Sequence, residues 1–222
     1  MRIKADFFLL LVAFIWGTAF VAQGIAGQYK VAYLFNGVSF MLAALILIPI
    51  IPRGGQGVKI SKDQWKWMFI AGIVLFFATA MQQVGLLFTK IANASFLTSL
   101  YAVFAPFLLW IGFREKPRWL DMIAVTLAGF GAFLLSTSGK FQAQPGDLIE
   151  LIGSLFWALH FVVLGKFAMR YESVSFAAGH FFISGFINFI IGCTIIFIAV
   201  VLSQFKVWSS GAIDHDHLVK GR

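Results

Sequence analysis

Six polar or aromatic residues interrupt long apolar runs of the sequence, and their side chains could recognise a small molecule. They are Trp16, Gln82, Gln83, Tyr101, Trp157 and His160. Aromatic rings can stack on a ligand, and indole, phenol, amide and imidazole groups can form hydrogen bonds with it. These residues are therefore predicted to bind a substrate. The alternative is that each one only packs in the core or joins two helices by a hydrogen bond.

The sequence contains no recognisable catalytic pattern. Neither His-Glu-x-x-His nor Gly-x-Ser-x-Gly occurs, and no pair of acids lies in the middle of an apolar run. The acids near the ends of apolar runs are Asp6, Glu115, Asp121, Asp147 and Glu150. A membrane enzyme built on His160 and His180 is the remaining enzymatic alternative. No cofactor is predicted, and His215, Asp216 and His217 are interpreted as part of a polar tail rather than a metal site.

Pro106 lies within an apolar run and lacks the backbone N–H that a continuous helix needs. The resulting bend could gate a cavity, or it could be a fixed kink. Glu115 stands among Arg114, Lys116 and Arg118, which favours a salt-bridge cluster in a loop over a second gating residue.

Lipid is the solvent that explains the composition. Of the 222 residues, 60% are hydrophobic and 12% are charged, and the mean hydropathy is +0.90. Soluble domains carry about 25% charged residues, so this chain holds more apolar surface than a soluble core could bury. The net charge of +8 would suit nucleic acid, but the basic residues lie in short loops beside apolar runs. The bilayer is therefore the predicted partner, and nucleic acid is not.

Seven apolar stretches approach the roughly 20 residues that a helix needs to cross a bilayer. They are residues 6–26, 31–51, 67–87, 93–113, 119–137, 148–168 and 174–202. The predicted fold class is all-α, a polytopic membrane helix bundle.

Basic residues are distributed unequally between the two sides of these spans. One side collects Arg2, Lys4, Arg53, Lys59, Lys62, Lys66, Arg114, Lys116, Arg118, Lys166 and Arg170; the other collects Lys30, Lys90 and Lys140. Because cytoplasmic loops carry the excess of Lys and Arg, the N-terminus is predicted to be cytoplasmic.

An internal repeat relates the two ends of the chain. A shift of 141 residues places Trp16 on Trp157 and Phe40 on Phe181. The repeating unit would hold five spans, and an odd number makes the second copy enter the membrane from the opposite face, as in many secondary transporters. The predicted organisation is a first repeat over 1–140, a partial second repeat of two spans over 141–205, and a polar tail over 206–222.

Three stretches resemble the EamA-type members of the drug/metabolite transporter superfamily. They read LLLVAFIWGTAFVA, MQQVGLLFTKIANASFLTSLYAVFAPFLLWIGFREKPRW and GDLIELIGSLFWALHFVVLGK. The family's recurring Trp-Gly of span 1, its Pro within span 4 and the Glu that ends this span fall here on Trp16, Gly17, Pro106 and Glu115.

The resemblance implies a carrier of small organic metabolites such as amino acids, often an exporter, in the bacterial inner membrane. A family member has ten spans, so the last three would be missing from this chain. An inactive or regulatory transporter fragment is therefore the main alternative to an active carrier. A homodimer is left open.

Overall fold

The computed structural model describes residues 2–29, 31–52, 60–137 and 144–219, and the regular structure within these ranges is helical. The α-helices are α1 Arg2–Gln28, α2 Ala32–Leu47, α3 Lys62–Leu86, α4 Ile91–Ser99, α5 Tyr101–Phe113, α6 Trp119–Thr137, α7 Pro145–Phe167 and α8 Ser173–Val219. A helix satisfies the backbone N–H and C=O groups within its own segment, which is what an apolar run in lipid requires.

Six helical segments in the described ranges are long and apolar enough to cross a membrane. They are Leu10–Gln28, Ala32–Ile50, Lys62–Leu86, Ile91–Phe113, Pro145–Arg170 and Ser173–Ser203. The other predicted span, 119–137, forms α6, and its described apolar segment Trp119–Gly131 is shorter than the six spans above. The all-α membrane bundle is confirmed, with six full-length spans in these ranges where seven were predicted.

The fourth span consists of two helices that meet at Leu100. The Leu100 N–H bonds to the Leu97 carbonyl at 3.2 Å, and the Val103 N–H bonds to the Leu100 carbonyl at 2.9 Å, so the chain tightens locally to three-residue turns. Pro106 lies further along, inside α5, and the helix continues through it. The interruption in this span therefore lies at Leu100 and not at the proline.

Helix α3 lies at the centre of the bundle and packs against both α7 and α8. Its contact surface consists largely of small residues: Ala71 and Ala78 are fully buried, and Gly72 and Gly85 approach α8 and α7 respectively. Small side chains let helix backbones come close in a membrane, where van der Waals packing replaces the hydrophobic effect between helices. Through these contacts, α3 joins the first half of the chain to helices α7 and α8 of the second half.

Helices α2 and α8 pack closely and run in opposite directions. Gly192 lies against Leu34, Gly185 lies against Met41, and a methyl group placed on Gly37 would lie 2.6 Å from the backbone nitrogen of Phe189. As numbers rise along α2, those of the contacted residues on α8 therefore fall. The second span of the first half and the last described span are antiparallel.

Loop contacts define two ends of the bundle. At the end that we call the basic end, Glu115 forms an ion pair with Lys166, and the Tyr171 hydroxyl donates to the Asp63 carboxylate. This donation raises the pKa of Tyr171, because a tyrosinate could not make the bond. At the opposite end, Thr89 donates to Asp147 at 2.5 Å. The two sets of loops therefore separate as the alternation of basic residues predicts. Of the fourteen basic residues assigned to the two sides, four lie outside the described ranges: Lys30, Arg53, Lys59 and Lys140.

Candidate functional site

A cavity in two chambers lies between helices of the first half of the chain and helices α7 and α8. The larger chamber has a volume of about 380 Å³ and the smaller one about 180 Å³. Trp16 on α1, Phe40 on α2 and Trp157 on α7 line both chambers, so these three rings form the partition between them. Trp16 and Trp157, which the 141-residue offset pairs, thus meet in one site, with ring centroids 5.7 Å apart.

Two buried histidines line the larger chamber, and their rings lie 5.3 Å apart. The Nδ1 atom of His160 lies 3.2 Å from the Ala71 carbonyl, and that of His180 lies 2.9 Å from the Phe176 carbonyl. A carbonyl only accepts hydrogen bonds, so each Nδ1 carries the proton and each Nε2 is an acceptor when the ring is neutral. Neither Nε2 has a hydrogen-bond partner among the described residues.

A chain of amide hydrogen bonds borders the smaller chamber. The Trp157 indole N–H donates to Gln82 Oε1 at 2.8 Å, and Gln82 Nε2 donates to Gln23 Oε1 at 2.6 Å. The indole can only donate, so it fixes the orientation of the Gln82 amide. The Gln23 Nε2 has no partner among the described residues, and Gln23 lines this chamber. The chain therefore ends in an amide donor at the cavity wall.

Tyr101 packs against the partition on the side away from the two chambers. Its ring lies 6.3 Å from that of Trp16 in an edge-on arrangement and 4.6 Å from that of Phe161, and among the described residues it lines neither chamber. Aromatic pairs at these separations contribute about 0.5–1.5 kcal/mol beyond burial. Tyr101 therefore positions Trp16 and does not itself contact the space.

Two predicted site residues lie away from the cavity. Gln83 Nε2 donates to Asn36 Oδ1 at 3.3 Å, and Gln83 lines a separate space of about 460 Å³ beside Tyr33. Pro106 lines a cleft of about 450 Å³ at the basic end, together with Glu115. The structure thus brings together Trp16, Gln82, Trp157 and His160, places Tyr101 next to them, and separates Gln83 and Pro106 from them.

Several residues of the site are absent from the sequence-based prediction of binding residues. Phe40 could have been found, because the repeat offset pairs it with Phe181, which also lines the larger chamber. His180 is a polar residue within a predicted span, but it is not among the predicted binding residues. Gln23 and Thr98 carry no pattern that separates them from other polar residues of the spans. Their placement depends on tertiary packing.

Within the described residues, no group of three or more His, Cys, Asp and Glu side chains could hold a metal ion. The side chains of His215, Asp216 and His217 lie outside the described part of the chain.

Comparison with known proteins shows the family of this chain. The family model described as the EamA-like transporter family matches residues 3–137. The chain belongs to the EamA-like transporter family. The resemblance to this family is confirmed: the first two stretches lie within the matched residues, and the third, residues 146–166, lies beyond them.

Two relatives of this EamA-like chain come from Archaeoglobus fulgidus, and each is described as an uncharacterized transporter. One is 33% identical over 167 residues, which cover 75% of this chain and 51% of the relative. The other is 24% identical over 205 residues, which cover 85% of this chain and 70% of the relative. The match therefore spans about half the length of the first relative. No solved structure matches the chain.

Proposed function

We propose that this EamA-like chain is a secondary transporter that exports small organic metabolites, such as amino acids, by alternating access. The observation that carries the proposal is the contact, in the wall of the cavity, of Trp16 and Trp157, which the 141-residue offset pairs. Transporters with inverted repeats bind substrate at the interface of the two copies, and rocking of one copy against the other opens the site to each side in turn. A cavity partitioned by residues from both predicted copies fits this mechanism.

The lining of the cavity supports a small organic substrate. The walls are mostly aromatic and aliphatic. Polar side chains are the minority: His160, Ser173 and His180 in the larger chamber, and Gln23, Thr79, Gln82 and Thr98 in the smaller one. Apolar walls with a few placed polar groups are typical of small-molecule sites, whose volumes start at about 300 Å³. A metabolite with an apolar side chain and separate donor and acceptor groups would satisfy both kinds of surface.

The proposal also includes a place and an orientation. The protein would lie in the cell membrane, the inner membrane in a bacterium, with its N-terminus and the basic end in the cytoplasm. The support is the concentration of Lys62, Lys66, Lys166 and Arg170 at that end. The proposal includes no enzymatic chemistry. His160 and His180 would act only as hydrogen-bonding groups for the bound small molecule.

Efflux from lipid vesicles tests the proposal. Vesicles containing the purified chain would be loaded with a mixture of radiolabelled amino acids, and release would be compared with that from protein-free vesicles. The Trp157→Phe variant keeps a ring in the partition but loses the donor to Gln82, so efflux should fall roughly 2- to 10-fold, the value of one hydrogen bond.

Trp110→Phe is the matched control, because Trp110 on α5 is exposed and lines neither chamber. Its efflux should equal that of the unmodified chain. If no amino acid leaves faster than from protein-free vesicles, the proposed substrate class is wrong. If both tryptophan variants behave alike, the cavity is not the transport site.

A further inference from the structure

Glu150 is a buried carboxyl group that the cavity description does not use. It lies on α7 inside the bundle with 0% exposure. Its Oε2 accepts a hydrogen bond from the Thr98 hydroxyl at 3.0 Å, while its Oε1 has no partner among the described residues. The described side chains provide no ion pair for it. In the sequence Glu150 is one of the acids near the ends of the apolar runs, and no role is predicted for it.

The bundle is shaped to hold this carboxyl group. A methyl group placed on Gly85 of α3 would lie 2.6 Å from Glu150 Oε1, so only a glycine leaves room for the carboxyl there. Thr98 of α4 closes the other side by its hydrogen bond. One helix thus provides the space and another provides a polar partner.

No positive charge faces Glu150 from the helices that pack against α7. Helix α4 carries no ionisable side chain, α5 carries only Tyr101, and α3 carries its own at the basic end: Lys62, Asp63 and Lys66. On α7 itself, Asp147 lies one turn earlier and binds Thr89 and the Gln144 N–H. This second acid opposes a negative charge on Glu150.

An ionised carboxylate is costly in an apolar interior unless it is paired. Binding a proton removes the charge and gives the group an O–H donor. The protonated Glu150 would then donate to Thr98 Oγ1, and the Thr98 hydroxyl hydrogen, no longer directed at Glu150, would be free to turn away. Thr98 lines the smaller chamber of the cavity. The direction of the Thr98 hydroxyl, which lines the chamber, would therefore depend on whether Glu150 carries a proton.

We propose that Glu150 is the proton-binding site of this transporter and that Thr98 connects it to the smaller chamber. This inference rests on the proposed transport function for its coupling role. Proton binding by Glu150 does not depend on transport, so the proton-binding proposal and the transport proposal can be disproved separately. The proton enters and leaves as H⁺, and no other reactant is needed.

Infrared spectroscopy of the full chain in lipid nanodiscs tests proton binding without any substrate. At neutral pH the spectrum should show the C=O stretch of a protonated carboxyl group. This band should be absent in Glu150→Gln. It should be shifted in Thr98→Val, because that variant lacks the hydroxyl partner of Glu150. Raising the pH should abolish the band. Glu115→Gln, which alters an exposed glutamate at the basic end, should leave it unchanged.

A spectrum at neutral pH identical in the unmodified chain and in Glu150→Gln would overturn proton binding. Since Glu150→Gln could misfold, its elution as a single species is checked, and the band shift in Thr98→Val gives an independent result. Coupling is tested in vesicles that show amino-acid efflux: an imposed pH gradient should change the rate for the unmodified chain but not for Glu150→Gln. A gradient effect that persists in Glu150→Gln would overturn coupling while leaving transport established.

Discussion

Phe40 and Phe181 stack on each other in the wall of the cavity, with centroids 5.7 Å apart and an angle of 10° between the rings. They are separated by 141 residues, the offset that also relates Trp16 to Trp157. Residues related by a two-fold rotation can touch one another only beside the rotation axis. Two such pairs in contact, together with antiparallel α2 and α8, favour an axis that runs through the cavity, as an inverted repeat requires.

Cysteine cross-linking tests this axis. In a Cys193→Ser background, Phe40→Cys combined with Phe181→Cys should be joined by a short bis-maleimide, because the two side chains face each other directly. A protease site introduced within residues 138–143 would separate α2 from α8, so cross-linked chains would still run as one band after cleavage on a denaturing gel.

Phe40→Cys with Phe197→Cys is the control pair for cross-linking. Phe197 lies on the exposed side of α8, more than four helical turns beyond Phe181 at about 3.6 residues per turn. This pair should give two bands after cleavage. Equal cross-linking of both pairs would mean that α2 and α8 do not hold the described register.

The helices could be predicted from the sequence because hydropathy over a span depends on local composition alone. Trp16 and Trp157 could be assigned to one site because the repeat offset relates them before any packing is known. Gln82 and Gln83 could not be distinguished in this way, because both lie deep in one apolar run. Their directions differ by about 100° around the helix, and only the positions of α2 and α7 decide which glutamine meets Trp157.

The burial of Glu150 also could not be predicted from the sequence. Its position within α7 is near one end, where an acid could reach water, and nothing in the sequence links it to Gly85 or Thr98. Burial of this side chain follows from the close approach of α3 and α4. Tertiary contacts of this kind have no local signal.

The two neighbouring glutamines provide a prediction with an internal control. Gln82→Ala removes the acceptor of the Trp157 indole and the donor to Gln23, so amino-acid efflux should fall at least as much as in Trp157→Phe. Gln83→Ala removes only the bond to Asn36, outside the cavity. Because it leaves the buried Asn36 Oδ1 without its partner, it should lower the free energy of unfolding by about 1–3 kcal/mol, and it should leave efflux unchanged. A larger efflux defect in Gln83→Ala would contradict the assignment of the cavity.

The orientation can be tested at two described lysines in the Cys193→Ser background. Lys62→Cys lies at the basic end, and Lys90→Cys lies in the loop before α4 at the opposite end; both positions are exposed. A membrane-impermeant maleimide added to intact cells should label Lys90→Cys and should reach Lys62→Cys only after the cells are permeabilised. The reverse pattern would place the basic end outside, against the charge bias. Labelling of both in intact cells would contradict their location at opposite ends.

The close contact of α2 with α8 predicts opposite effects for two glycine substitutions. Gly37→Ala would place a methyl group 2.6 Å from the Phe189 backbone nitrogen, so the helices must separate. Overpacking of this kind costs about 1–3 kcal/mol. Gly165→Ala on α7 meets no atom within 4 Å and should gain about 0.5–1 kcal/mol from the higher helix propensity of alanine.

Thermal unfolding in detergent, followed by the loss of helical circular dichroism, measures both glycine variants. The midpoint should fall for Gly37→Ala and rise slightly for Gly165→Ala. Because both substitutions add the same methyl group within a helix, any difference between them reflects the neighbouring helix. Equal midpoints would show that α2 and α8 are not in close backbone contact, and the antiparallel packing that supports the repeat axis would lose its basis.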